Sequence, residues 1–151
     1  MSDQHLQHGP TSLSAPLHGA TLGQAVSRFW RKYATFSGRA SRSEYWWAYL
    51  FTTVTTFVAA MLPALTLLIV LGPNETSDSP PPLTIAVVVI VLIYMLALIV
   101  PGLAILARRL HDAGFSAWFI LLGLVPFGGI VLFVFTVLES KPEGARFDAQ
   151  H

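Results

Sequence analysis

Residues 36–47 read FSGRASRSEYWW, and the reading of this stretch decides the fold. It closes a basic segment and opens a long apolar one. Gly38 is free to take the left-handed backbone that ends a helix. Ser41-Arg-Ser-Glu44 has the S-x-x-E form of a capping box, in which side chains satisfy the orphan amides of a helix start. Tyr45, Trp46, Trp47 and Tyr49 follow at once, and such rings concentrate at the membrane–water interface. Residues 45–72 then carry no charge. As a helix this run spans roughly 42 Å, against a hydrocarbon core of about 30 Å. The excess accommodates the aromatic belt and a tilt. Pro63 is expected to kink the span, and Thr52, Thr53, Thr55 and Thr56 to bond to backbone carbonyls or to another helix.

Composition points the same way. Hydrophobic residues make up 54% of the 151-residue chain and charged residues 11%, where a soluble domain carries about 25% charge. The mean hydropathy is +0.61. A surface so short of charge has to face something other than water. Cysteine is absent, which excludes disulfides, thiolate metal sites and cysteine nucleophiles.

Upstream, residues 1–20 are polar, contain His5, His8 and His18, and read as a disordered tail without the pattern of a signal peptide. Residues 21–37 read as an amphipathic interfacial helix. Leu22, Ala25, Val26, Phe29, Trp30, Tyr33 and Phe36 fall on one face of a 3.6-residue period. Gln24, Ser27, Arg28, Arg31, Lys32 and Thr35 fall on the other. Thr21 and Gln24 form a T-x-x-Q box at its start. An aromatic face opposite a basic one, just before a span, suits the headgroup layer.

Downstream, the membrane domain is expected over residues 38–139, with spans at about 45–72, 83–107 and 115–138, and a polar tail over 140–151. A Pro- and Ser-rich loop, 73–82, separates the first two spans. Tyr94 lies near the middle of the second span and needs a partner for its hydroxyl, a carbonyl or a threonine of a neighbouring helix. Pro101-Gly102 is expected to kink that span. Arg108-Arg-Leu-His-Asp112 follows, and Gly114 suits a helix end. Ser116 is a natural N-cap for the third apolar run, and Trp118 its interfacial anchor. Pro126-Phe-Gly-Gly129 breaks that run in the middle. It reads as one kinked span or as a re-entrant hairpin whose arms of about 12 residues are short for crossing. The fold class is therefore an all-α membrane protein, three transmembrane helices preceded by an interfacial helix. Trp30, Tyr45, Trp46, Trp47 and Trp118 are its interfacial anchors, and Pro63, Pro101 and Pro126 its kinks.

Lys and Arg mark the cytoplasmic side of short loops. Five precede the first span (Arg28, Arg31, Lys32, Arg39, Arg42), none lies between the first two, two follow the second (Arg108, Arg109) and two lie in the tail (Lys141, Arg146). Three crossings place seven inside and the C-terminus outside. A re-entrant third segment places all nine inside.

Two blocks carry a resemblance. Phe36-Ser-Gly-Arg39-Ala-Ser-Arg42-Ser-Glu44-Tyr45-Trp46 resembles the F-x-G-R-x-x-R-x-E-Y-W pattern of a bacterial inner-membrane family, domain of unknown function 805. Arg108-Arg109-Leu110-His111-Asp112, then Ser116-Ala-Trp118 and Pro126, resembles its second block. The likeness covers roughly residues 30–147. The family's usual G-x-N-R-F-G ending is replaced here by Gly144-Ala-Arg146-Phe147-Asp148, with Ala145 for the asparagine and Asp148 for the glycine. The resemblance implies a multi-pass bacterial inner-membrane protein and carries over no catalytic residue.

The charges of the two blocks are expected at one end. Arg39, Arg42, Arg108 and Arg109 would face Glu44 and Asp112, with His111 beside them, closing the helix ends as an ion-pair cluster. The same arginines suit an anionic lipid headgroup or a phosphate. No enzyme is expected. A G-x-S-x-G elbow and a P-loop are absent, and His111-Asp112 lacks the further ligands of a metal centre. No catalytic residue, metal or cofactor is therefore called. No basic stripe interleaved with aromatics lies outside the membrane-flanking segment, which excludes nucleic acid as a partner. Ionisable residues inside spans, the usual mark of transport, are missing. The expected function is that of a structural, accessory or interaction protein in the inner membrane. Its partners are the bilayer with its anionic lipids, and a second copy or another membrane protein. The alternative is an oligomeric transporter or channel component.

Overall fold

A computed structural model describes residues 15–71 and 81–148. His5 and His8 of the tail, and all but the last two residues of the loop 73–82, lie outside the described residues.

Among the described residues, four α-helices and two 3₁₀ helices follow one another: α1 (Leu22–Arg31), α2 (Arg42–Leu71), α3 (Pro82–Asp112), a 3₁₀ helix (Ala117–Leu124), α4 (Gly128–Val137) and a second 3₁₀ helix (Pro142–Phe147). The architecture is all-helical. α2 and α3 are each long and apolar enough to cross a membrane. At 30 and 31 residues they measure roughly 45 Å. They form an antiparallel pair. Ala40 donates its amide to Arg108 O, Leu98 packs with Phe29, Ala40, Ala48 and Ile105, and Tyr94 Oη donates to Thr55 Oγ1 at 2.7 Å. That last bond is the threonine partner expected for this half-buried phenol. Thr52 and Thr55 also return their own hydroxyls to carbonyls three and four residues back. Pro63 and Pro101 lie inside continuous helices. The outward faces are bare apolar surface, with Phe57 65%, Leu68 67% and Ile90 66% exposed.

The helix ends follow local chemistry. Thr21 and Gln24 form the expected capping box. Ser41 Oγ accepts the Glu44 amide, but the Glu44 carboxylate turns away to Arg28. Gly114, at φ +86, closes α3. Its amide goes to His111 O and that of Phe115 to Leu110 O, the crossed pair of a Schellman cap. α1 stops at Arg31, short of the expected 21–37, and Gly38 is not its cap. Gly38 does take a positive φ of +81, but uses it to receive the C-terminal segment.

The third apolar run departs from the single helix over 115–138. It folds back on itself. Ser116 caps the first 3₁₀ helix through the Trp118 amide. The chain turns at Pro126-Phe127, and α4 returns alongside. Phe115 and Phe119 both meet Phe135. The reason is steric and local. Phe127 takes the left-handed conformation at φ 64, and Gly128 lies so close to the Leu122 carbonyl that only a residue without Cβ fits. Neither arm is long enough to cross alone. Both ends of this hairpin therefore sit at the α3 C-terminus, and the tail stays with them.

Candidate functional site

The hairpin gathers every Lys and Arg of the chain into segments that meet at one end, where α2 begins and α3 finishes. Two buried carboxylates organise that end.

Asp112 holds the hairpin. Its carboxylate pairs with Arg109 at 2.5 Å, both side chains fully buried, and accepts the Ser140 hydroxyl. Arg109 Nε donates to Thr136 O at 3.0 Å and another guanidinium nitrogen to Leu138 O. The Lys141 amide donates to Asp112 O. The returning arm is thus tied through its own backbone to an ion pair. Such an arrangement gives the carbonyls of Thr136 and Leu138, at the α4 C-terminus, the partners that the helix itself does not supply.

Glu44 organises the other half. Arg28 reaches its Oε2 at 2.9 Å. Arg108 lies 3.6 Å from its Oε1, beyond hydrogen-bonding distance. Lys32, 3% exposed, faces the same carboxylate and Arg108. Three cations thus converge on this carboxylate. The segment 15–20 lies over them: Arg28 donates to Ala15 O, the Leu17 amide to Glu44, and Ser41 Oγ to Leu17 O.

The remaining expected cluster members are drawn elsewhere. Arg39 makes a two-pronged pair with Asp148, at 2.9 and 2.6 Å, and this pair raises the Arg39 pKa above its ordinary value. Arg42 meets Glu139 at 3.3 Å in the open, where a pair is worth about 0–1 kcal/mol. His111 stacks on Phe147 at 4.0 Å, and its Nδ1 lies 3.2 Å from Gly38 O. Arg39 and Arg42 do not join Glu44 and Asp112, and one cluster becomes two separate centres with two flanking pairs. Arg28 and Lys32, read from periodicity as the outward face of α1, instead point inward beside Ala25 and Phe29. Their spacing of four residues, in register with Ala25 and Phe29, was the available signal. Of the anchors, Trp30 stacks on Tyr33 and remains 41% exposed. Tyr45 and Trp46 are half-buried, Trp46 against Phe133, and Trp47 and Trp118 face outward. Pro126 lies in the hairpin turn. No group of three or more His, Asp or Glu able to hold a metal occurs among the described residues.

The family model described as protein of unknown function (DUF805) matches residues 33–149. The chain belongs to the DUF805 family. It is 35% identical over 118 residues to the inner membrane protein YhaI of Escherichia coli (strain K12), covering 78% of this chain and 86% of the relative. It is 33% identical over 118 residues to the inner membrane protein YhaH of the same strain, covering 78% and 87%. No solved structure matches. In this DUF805 chain the two sequence blocks and the ending meet in one place. The Gly38 amide donates to Phe147 O at 2.8 Å, Arg39 holds Asp148, and His111 stacks on Phe147. Gly144 makes this possible, because a Cβ there would collide with His111 O and sit 3.2 Å from its carbonyl carbon. Gly144→Ala is expected to release the tail, costing about 1–3 kcal/mol as an overpacked contact. Limited proteolysis should then trim the C-terminus faster than in the native chain, while the core of α2 and α3 stays protected.

Burial pushes the Lys32 ammonium down to about 8 from 10.5, with Glu44 and Asp148 opposing the shift and Arg108 and Arg28 adding to it. The folded chain sheds this proton near pH 8, while the unfolded chain keeps it to 10.5. The Lys32 penalty is therefore constant below pH 8 and relieved as the pH climbs from about 8 to 10.5. Thermal melts in nonionic detergent should show that rise, and Lys32→Met should flatten it.

Proposed function

We propose that the chain is a two-span inner-membrane protein with a re-entrant hairpin, both termini in the cytoplasm. Its basic end engages the anionic leaflet, and it serves as a structural or accessory component rather than an enzyme. One observation carries the reading. All nine Lys and Arg lie in segments gathered at the end that α2, α3, the hairpin and the tail share. The positive-inside rule assigns such an end to the cytoplasm. α4, with 10 residues, covers about 15 Å, half of a hydrocarbon core of about 30 Å, so the third run enters and returns. α1 leaves Leu22, Trp30 and Arg31 exposed, an apolar and basic surface suited to the headgroup layer, where each cation contributes about 1 kcal/mol of attraction.

The absence of cysteine makes the test direct. Single cysteines at Ser2, Ser79 and Gln150 are exposed to a membrane-impermeant thiol reagent on intact spheroplasts. Ser79→Cys is expected to label, and Ser2→Cys and Gln150→Cys are not. Labelling of Gln150→Cys would restore a third crossing, and labelling of Ser2→Cys would invert the protein.

A further inference from the structure

The Glu44 centre holds donors that the described residues leave unpaired. Arg28, Lys32 and Arg108 converge on the Glu44 carboxylate, and Asp148, the other carboxylate acting on Lys32, is engaged by Arg39. Lys32 Nζ and both terminal nitrogens of Arg108 have no hydrogen-bond partner among the described residues. The two residues are 3% and 0% exposed. Buried cations are ordinarily paired, and donors left unmade in a low-dielectric site are costly. The charges of these two side chains act on each other, and an anion would answer both.

An apolar groove starts one helical turn below. Phe29, Tyr45, Ala48 and Ile105 line its upper part, of 390 Å³. Each is one to four residues from Lys32, Glu44 or Arg108. Thr52, Leu98, Ile99 and Gly102 carry it into a lower part of 590 Å³ that reaches Ala60 and Met95. From Ala48 to Ala60 the groove runs roughly 18 Å along α2, close to the depth of one leaflet, half of a core of about 30 Å. Its wall includes Phe57, 65% exposed, so it opens sideways to the surroundings of the helix pair. Gly102 faces open space, and a Cβ there would meet nothing within 4 Å. A glycine inside a helix costs stability, and no neighbour in the fold requires this one.

We infer that the Lys32–Arg108 pair and the α2–α3 groove form one binding site for a single anionic glycerophospholipid, its phosphate between the two cations and one acyl chain along the groove to Ala60. A phosphodiester offers its oxygens to the unpaired donors of both Lys32 and Arg108. A choline headgroup would bring another cation to the same place. This rests on the reading that the basic end lies in the anionic leaflet, and goes beyond it, because surface attraction needs neither stoichiometry nor a groove.

The test uses the full chain, purified in nonionic detergent. Its melting temperature is followed against added phosphatidylglycerol, phosphatidylcholine or inorganic phosphate, with native mass spectrometry counting retained lipids. Phosphatidylglycerol is expected to raise the melting temperature saturably, with one lipid retained, and the other two are not. Lys32→Met, which removes an unpaired charge and keeps the stem, is expected to melt higher without lipid and to bind phosphatidylglycerol about tenfold more weakly or worse, the loss of one charge-assisted hydrogen bond. A purely structural lysine would give the opposite sign in the first measurement. Gly102→Leu, filling the groove, is expected to fold and to lose the lipid increment while keeping the cations. Full retention of the increment in Lys32→Met overturns the site. Equal protection by inorganic phosphate overturns the lipid assignment. If native protein shows no increment yet still floats with phosphatidylglycerol vesicles, the site falls and the surface reading stands. Labelling of Ser2→Cys from outside removes the reading itself.

Discussion

Glu44→Gln is expected to cost about 3–5 kcal/mol, the range for stranding a buried charge by removing its partner. Glutamine keeps the volume and one carbonyl acceptor. It removes the carboxylate that Arg28 and Arg108 approach at 2.9 and 3.6 Å and that holds up the charge of Lys32. The loss is therefore electrostatic rather than steric. Two further variants separate the contributions. Arg28→Met breaks the same 2.9 Å pair but lowers the excess of positive charge, and is expected to cost less than Glu44→Gln. Combining Glu44→Gln with Lys32→Met is expected to recover part of the loss, a non-additive result that only neighbours in one network give. The measurement is unfolding of the detergent-solubilised protein by heat, with the four chains compared at pH 7. A Glu44→Gln chain within 1 kcal/mol of native, taken as an upper bound for an exposed pair, would show that water or another group already neutralises the centre.

The two long helices were legible because their signal is uniform. The charge-free runs 45–72 and 83–107 became Arg42–Leu71 and Pro82–Asp112, extended at the basic end, where charged residues continue each helix. The Thr21–Gln24 box, the Gly114 cap, the Ser116 cap and the Tyr94 partner were also legible, since each depends on residues a few positions apart or on one polar group with few options. Inward and outward were not. On α1 the cations Arg28 and Lys32 share a stripe with Ala25 and Phe29, and a pattern that sorts residues by polarity turns that stripe outward. What turned it inward is Glu44, sixteen residues away from Arg28, a partner that periodicity does not see. The tail partners of Arg39 and Arg42, Asp148 and Glu139, are more distant still, at 109 and 97 residues. The third apolar run failed for a different reason. An all-apolar segment has no polar face to set a period, so its break at Pro126 was visible and its direction was not.

That direction rests on one backbone approach, which makes Gly128→Ala the sharpest probe of the hairpin. A Cβ at Gly128 would overlap the Leu122 carbonyl oxygen and stand 2.7 Å from the carbonyl carbon. The opposing atoms are backbone, inside a 3₁₀ turn, and have no rotamer to change. The neighbour Phe127 is already in the left-handed region, a conformation that costs of order 1–3 kcal/mol where the structure does not enforce it. The turn has no slack to give. Gly128→Ala is expected to destabilise by about 3 kcal/mol or more, the top of the overpacking range, and to part the Phe115–Phe135 stack at 4.1 Å. The adjacent Gly129→Ala supplies the control. Its Cβ meets nothing within 4 Å, so the change is expected to be neutral, or stabilising by up to about 1 kcal/mol from helix propensity alone. Melting temperature in detergent separates the two at once. Impermeant labelling of Gln150→Cys then asks where the opened chain goes. Two short arms that part lose the carbonyl contacts of Arg109 to Thr136 and Leu138, and that arginine has to find water or Asp112 alone. If Gln150→Cys stays protected in Gly128→Ala, the nine basic residues hold the tail in the cytoplasm without help from the hairpin. If it becomes labelled, the hairpin turn itself keeps the third run from crossing, and topology in this fold depends on a single missing methyl group.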